Sequence, residues 1–407
     1  MTDKKVPNDR LKISKFKLDS LLDITLSINA NLPTEDLLAK YESILRNDLG
    51  IGKILIFKHS GQWECLLNGG FPSGFETIDV ESMLMDINEI FFGAADLGFE
   101  GVDIIIPVFN NNIHLAFVFI GDIEEEGEGM SPVLKHLNFI QTISSIIIVA
   151  IENIRLFNES LRQESLRKEL ELAARMQQML IPDNKHMPRN PKLKVTGFYF
   201  PHFEVGGDYY DCISLSCNKT GFCIADVSGK GISAAILMSN FQANLRALFT
   251  HDINLVALVK KLNKIVDLNA AGEKFITFFV ARYDHSTRTL EYINAAHNPP
   301  VLYDTVTGET KYLRASCVGI GMLEEIPTIK KSEIKITDYS KIICYTDGLS
   351  EMIGPDGREL GTEVIVKYIS NNKPVSRNIS EMIQSLGLQE NNPAIFDDVS
   401  IIAADML

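Results

Sequence analysis

Acidic residues recur at four places in this chain, each closing or following an apolar, strand-like run and each beside a glycine or a second acid. They are Glu204-Val205-Gly206-Gly207-Asp208-Tyr209-Tyr210-Asp211, Ala225-Asp226-Val227-Ser228-Gly229-Lys230-Gly231, Tyr345-Thr346-Asp347-Gly348 and Phe396-Asp397-Asp398-Val399-Ser400. Carboxylates gathered into one cleft repel each other, by about 4 kcal/mol per pair at roughly 4 Å and an effective dielectric near 20. A fold tolerates such a set when divalent cations neutralise it. Oxygen ligands with no accompanying histidine or thiolate favour Mg²⁺ or Mn²⁺ over zinc. Glycines 206, 207 and 348 suit tight turns and close backbone approach.

The elements that must position these acids follow from patterning. From Lys192 onward, strand-like runs are predicted at Leu193–Phe200, Tyr209–Ser214, Gly221–Val227, Phe275–Tyr283, Thr289–Asn294, Pro300–Tyr303, Lys341–Thr346 and Val399–Ala403. Helices are predicted at about 232–249, 254–270, 362–368 and 375–386. Strands with helices inserted in blocks imply an α+β domain over 190–407, its strands packed as a sandwich with helices outside.

Upstream, a polar, flexible N-terminus is expected over 1–17, then helix over 18–49 with a break near Asn31-Leu32-Pro33. Strands follow at 53–57, 63–67, 103–108 and 114–120. Asn110-Asn111-Asn112 forms a hairpin turn, and the acidic stretch 121–129 reads as a loop. Residues 130–182 are almost continuously helix-compatible, with Ser131 as cap before Pro132. Ile147, Ile151, Ile154 and Leu161 lie on one heptad seam around Asn158, and Leu166, Leu170, Ala173 and Leu180 on a second seam in another phase. Such seams predict a coiled-coil linker and a homodimer, against the simpler case of one amphipathic helix lying on a domain.

Of the 407 residues, 45% are hydrophobic and the net charge is −14, which argues against nucleic acid or anionic membrane as a partner. No run is apolar enough over enough residues to be a membrane span, and no signal core is evident. The six cysteines show no paired spacing. Together these predict a cytoplasmic protein. Ser228-Gly229-Lys230-Gly231 lacks the spacing of a phosphate-binding Walker loop, and Lys230 is expected in solvent. His297 reads as a turn-ordering residue or a proton donor. Cys65 and His114 read as core residues rather than cofactor anchors.

The order helix, strands, hairpin, long exit helix over 18–155 resembles a GAF domain, a resemblance that implies a sensor able to bind an unknown small ligand or to dimerise. The four acidic motifs, with Asn294-Ala295-Ala296-His297-Asn298-Pro299-Pro300 among them and Glu171–Pro182 before them, resemble in order and context the bacterial SpoIIE/RsbU-type phosphatases, a branch of the metal-dependent PPM serine/threonine phosphatases. The resemblance implies that Asp226 bridges two divalent cations, Mn²⁺ or Mg²⁺. It further implies that the carbonyl of Val227 ligates one of them, and that Asp347 and Asp397 complete the site. Asp208 would bind directly or through water. The resemblance favours Asp397 over the adjacent Asp398 as ligand, and since neighbouring strand residues point to opposite faces, one of the two is expected to reach the cleft. Tyr209 stands where the family often has tryptophan or phenylalanine, and Ala296 where glycine is usual. No histidine follows Asp226, unlike the eukaryotic relatives. The implied substrate is a phosphorylated STAS-type regulator protein, with activity set by the sensor through the 130–180 helix and the helices at 232–270. Two other readings fit the same residues: a non-catalytic dimeric scaffold for a phosphoprotein, and a phosphatase of small phosphate esters.

Overall fold

A computed structural model describes residues 6–123, 132–202, 205–354, 357–388, 392 and 394–407. The chain forms two compact units, Met1–Glu164 and Ser165–Leu407.

The first unit opens with α1 (Val6–Asn29) and α2 (Thr34–Ser43), followed by β1 (Ile51–His59), β2 (Trp63–Gly69), the short α3 (Val80–Met83), β3 (Phe91–Phe92), β4 (Ile104–Asn110) and β5 (Ile113–Ile123). The strands make one antiparallel sheet in the order β2-β1-β5-β4-β3. Asn111 and Asn112 take left-handed backbone at φ 48° and 66°, as the predicted β4–β5 hairpin requires. Alternation along each strand sends side chains to opposite faces. Ile54, Ile56, Ile106, Val118 and Ile120 face the helices, while Leu55, Phe57, Ile105, Phe117 and Phe119 face a second cluster with Phe71, Val80 and Phe99. The exit helix α4 (Pro132–Gln178) lays Phe139, Ile140, Ile143, Ile147, Ile148 and Ile151 into the helix-side core. Glu152 of α4 meets the buried Lys58 of β1 at 2.5 Å and Arg155 at 2.7 Å.

Three expectations change here. Helix already begins at Val6 within the stretch 1–17, because Phe16 packs on Phe139, their ring centroids 6.2 Å apart. Ile147 and Ile151 of the first heptad seam are spent on the unit's own sheet rather than on a partner helix. Leu156, Phe157, Leu161, Leu166, Leu172 and Met176 are exposed. Among the described residues, one helix, His136–Gln178, is long and apolar enough to cross a membrane by length and composition, and half of its apolar window is buried in the fold. Ser131 and most of the 121–129 loop lie outside the described residues.

The second unit carries β6 (Leu193–Phe200), β7 (Tyr209–Ser216), β8 (Lys219–Val227), α5 (Ile232–Leu248), α6 (Leu255–Ala270), β9 (Ile276–Asp284), β10 (Thr289–Ala295), β11 (Val301–Asp304), β12 (Thr310–Tyr312), β13 (Ser332–Lys335), β14 (Ser340–Tyr345), α7 (Asp347–Ser350), α8 (Gly361–Ile369), α9 (Val375–Leu386) and β15 (Val399–Met406). Two five-stranded antiparallel sheets form, in the orders β13-β10-β9-β8-β7 and β12-β11-β14-β15-β6. Ile342, Cys344, Ile402 and Ala404 of the second sheet share a core with Phe222, Ile224 and Phe279 of the first. The alternate residues Ile343, Tyr345, Ile401 and Ala403 pack against α8 and α9. This is the predicted sandwich with helices outside. The strands β12 and β13 and the short α7 have too few periodic residues to be legible in the sequence.

Candidate metal centre and active site

The site lies at the ends of the strands of both sheets. A cavity of about 260 Å³ is lined by the Val205–Gly207 turn, the Asp226–Lys230 loop, Phe275 and Thr277, Asp347, Asp397 and Asp398. Asp226 sits near the end of β8, paired in register with Thr277 on β9. Asp347 begins α7, directly after the last residues of β14. Asp397 and Asp398 lead into β15. Four segments distant in sequence thus converge because their strands are neighbours in two sheets.

Close approach, not unusual backbone, explains the glycines at this junction. A Cβ on Gly206 would stand 1.8 Å from Asp398 Oδ2, and one on Gly348 would stand 2.2 Å from the Asp398 carbonyl oxygen. Gly207 passes the Val227 carbonyl, which would lie 2.9 Å from an added Cβ. Asp398 accepts from the backbone N–H of His202 at 2.8 Å and of Gly207 at 3.1 Å. It therefore braces the glycine turn while lining the cavity. Gln177, in the last turn of α4, holds the same turn from behind: its Oε1 accepts from Gly206 N at 3.1 Å and its Nε2 donates to Gly206 O at 2.5 Å.

Asp208 is buried and is not among the cavity-lining residues. Thr346 Oγ1 donates to its Oδ2 at 2.7 Å and accepts from Ser400 N at 3.0 Å. Burial, and then the charges of Asp226 and Asp398, push the Asp208 carboxyl well above the usual carboxylate range. Asp226 is pushed up to about 8, first by burial and then by Asp347, Asp397 and Asp398. Asp347 and Asp398 are raised as well, again chiefly by burial. The set is short of positive charge, and its donors are all oxygens. That chemistry fits hard divalent cations. As the side chains stand, no three acidic, histidine or cysteine groups among the described residues form a ready metal-binding cluster. Asp397 is turned to Lys230, whose Nζ lies 2.8 Å from its Oδ2.

Of the residues singled out in the sequence, Asp226, Val227, Asp347 and Asp397 share the cavity wall, and Asp208 lies behind it. Glu204, at the head of the first motif, lies outside the described residues. Lys230 is exposed, as expected, and is also paired with Asp397. His297 is buried and its Nδ1 is 2.8 Å from Thr277 Oγ1; burial lowers it to about 3, so it is neutral. It orders the turn, its N–H donating to Asn294 Oδ1 at 2.8 Å. Ala296 takes φ 53° in that turn, a left-handed conformation that explains why glycine is usual there. Cys212 and Cys223 are core residues, but Cys217 is exposed. Sequence reasoning missed the bracing role of Asp398, the Thr346 bridge and the pairing of Asp211. The last is fully buried, bonded to Arg246 at 2.7 and 3.1 Å and accepting from Tyr209 Oη at 2.5 Å. An arginine one helix away carries no motif signal.

Residues 216–407 match the family model for Stage II sporulation protein E (SpoIIE). Phosphoserine phosphatase RsbU of Bacillus subtilis (strain 168) is 28% identical over 189 residues, which is 46% of this chain and 55% of that protein. Phosphoserine phosphatase RsbP of the same organism is 25% identical over 189 residues, 46% of each chain. The chain thus spans about half the length of these curated relatives. The SiaA-PP2C domain of Pseudomonas aeruginosa aligns with a TM-score of 0.51 at 17% identity, covering 60% of this chain and 99% of that one, a likeness of fold. Over residues 216–407 this chain is thus similar in sequence to the SpoIIE family, and its C-terminal unit has the PP2C-like α+β fold.

Proposed function

We propose that the C-terminal domain is a divalent-cation-dependent phosphatase of phosphoserine or phosphothreonine in a regulator protein. The observation that carries this reading is the convergence of Asp226, Asp347, Asp397 and Asp398 on one cavity, with the carboxyls of Asp226, Asp347 and Asp398 held above their usual range by burial and mutual repulsion. Two Mn²⁺ or Mg²⁺ ions held there would supply Lewis acidity and lower the pKa of a water. Asp226, the Val227 carbonyl, Asp347 and Asp397, which line one cavity, would hold them. Asp208, tied to Thr346, acts from behind through water or by orienting Asp226. Asp398 fixes the glycine turn that lets the backbone close on the cavity. His297, neutral and buried, holds Thr277 on the wall rather than giving a proton.

The relatives' names as phosphoserine phosphatases support a phosphoprotein substrate, and we take it to be a phosphorylated STAS-type regulator. The N-terminal unit, with its five-stranded antiparallel sheet backed by α1, α2 and α4, supports reading it as a GAF-like sensor of an unknown small ligand. The exposed apolar residues of α4 from Leu156 to Met176 support a homodimer paired through this linker as a coiled coil. Six unpaired cysteines suit the cytoplasm. The test is Mn²⁺-dependent phosphate release from a phosphoserine STAS protein and from an aryl phosphate, for the wild type and Asp226→Asn. Release from the phosphoprotein alone, lost in the variant, supports the proposal. Release from the aryl ester alone means a small-ester phosphatase, and none from either means a scaffold.

A further inference from the structure

The loop that carries Asp226 also carries a cation into the cleft. Lys230 Nζ lies 2.8 Å from Asp397 Oδ2 and donates to the Phe396 carbonyl at 2.8 Å. Among the described residues lining the cavity, Lys230 bears the one positively charged side chain. Its flanking glycines, Gly229 and Gly231, take φ +79° and +81°, backbone that side chains rarely adopt. The direction in which Lys230 leaves the loop is therefore set by the main chain. The other oxygen of Asp397 accepts from Asp398 N at 2.8 Å.

The two adjacent acids differ in how firmly they are held. Asp398 is buried and bonded by two backbone N–H groups of other segments. Asp397 and Lys230 lie at the solvent edge, their side chains 40% and 44% exposed. An ion pair that open is weak and easily exchanged, and a lysine stem swings its ammonium into water at little cost. A divalent cation brings twice the charge to the same carboxylate.

We infer that Lys230 is an internal counter-ion of the cleft, whose ammonium and a divalent cation compete for Asp397, so that binding of the cation at Asp397 requires Lys230 to let go. This rests on the two-cation reading given above. Lys230 then sets the affinity for the weaker of the two ions, while the site around Asp226 and Asp347 is left largely unchanged. Lys274 provides the contrast: its Nζ donates to the Ser228 carbonyl at 2.9 Å on the same loop and does not engage Asp397.

The test measures Mn²⁺ binding to the full chain by the electron paramagnetic resonance of free Mn²⁺ and by titration calorimetry, for the wild type, Lys230→Met, Lys230→Arg and Lys274→Met. Lys230→Met is expected to tighten the weaker class of site by about ten-fold, with the gain shrinking at high ionic strength. Lys230→Arg, which keeps the pair, stays within about two-fold of the wild type, as does Lys274→Met. If Lys230→Met binds Mn²⁺ no better than the wild type, the competition is refuted. Equal tightening by Lys274→Met refutes it too, since charge in general would then be responsible. Wild-type protein that binds no Mn²⁺ overturns the cation reading and this inference together. Two bound ions indifferent to Lys230 overturn this inference alone.

Discussion

Replacing Asp226 by asparagine is expected to stabilise the cation-free C-terminal unit while abolishing its chemistry. In the folded protein the Asp226 carboxyl holds its proton up to about pH 8, whereas an unfolded aspartate releases it near pH 4. Between those values the native state binds one more proton than the unfolded state, so stability falls as pH rises, by about 1.4 kcal/mol per pH unit. His297 slopes the other way, since burial lowers it to about 3 and the unfolded histidine titrates near pH 6.5. The window free of histidine is therefore pH 6.5 to 8, where about 2 kcal/mol is lost through Asp226, with the raised carboxyl of Asp208 adding a slope of the same sign. For a domain of this size that is a fall of roughly 4–8 °C in Tm. Scanning calorimetry in EDTA reads it, and the chain's single tryptophan, Trp63 in the N-terminal unit, supplies a fluorescence transition that should lack the slope. The Asp226→Asn variant keeps a hydrogen-bonding partner for Asp208 and removes a charge. Its cation-free melt should be flatter across the window and higher at pH 8. Added Mn²⁺ should raise the wild-type Tm, increasingly so as pH rises, because binding displaces the protons. A wild-type melt in EDTA that is level or rising from pH 6.5 to 8, or an Asp226→Asn protein with the same slope, would refute the argument.

Arg246→Met leaves the fully buried Asp211 without its bidentate partner and should cost about 3–5 kcal/mol of C-terminal stability by urea titration; adding Asp211→Asn to the same protein should restore much of it. Gly206→Ala drives a Cβ against Asp398 Oδ2 and is expected to destabilise the unit by about 1–3 kcal/mol and to weaken Mn²⁺ binding, read by calorimetry. Glu152→Ala strands the buried Lys58 in the N-terminal sheet; the Trp63 fluorescence transition should shift by about 3–5 kcal/mol while the C-terminal melt stays in place.

What could be read from the sequence was what repeats or alternates. The long strands of the N-terminal sheet and of the β14–β15 sheet carry apolar runs whose two faces meet two different cores, and the helices 232–270 and 375–386 carry their own stripes. The acids stood out because each ended such a run. Pairing partners of the opposite sign did not, because Lys230 and Arg246 are brought to Asp397 and Asp211 by tertiary approach alone. The heptad count along α4 was right in spacing and misleading in meaning for Ile147 and Ile151: a seam of apolar side chains does not declare whether a sheet or a second helix will cover it. Asp397 and Asp398 are alike as letters, the family resemblance alone favouring the first, and the N–H groups of His202 and Gly207 separate the braced acid from the exposed one.

The first motif holds two aspartates, Asp208 and Asp211, three residues apart, and the fold sends them to different tasks. Asp208 joins the acidic cluster, while Asp211 is sealed against Arg246 and Tyr209. A survey of inactivating substitutions would score both as essential and would group them by their shared neighbourhood in the sequence. Temperature tells them apart: protein altered at Asp211 should regain turnover when cooled, because what it loses is the folded fraction, whereas cooling gives nothing back to a chain altered at Asp226.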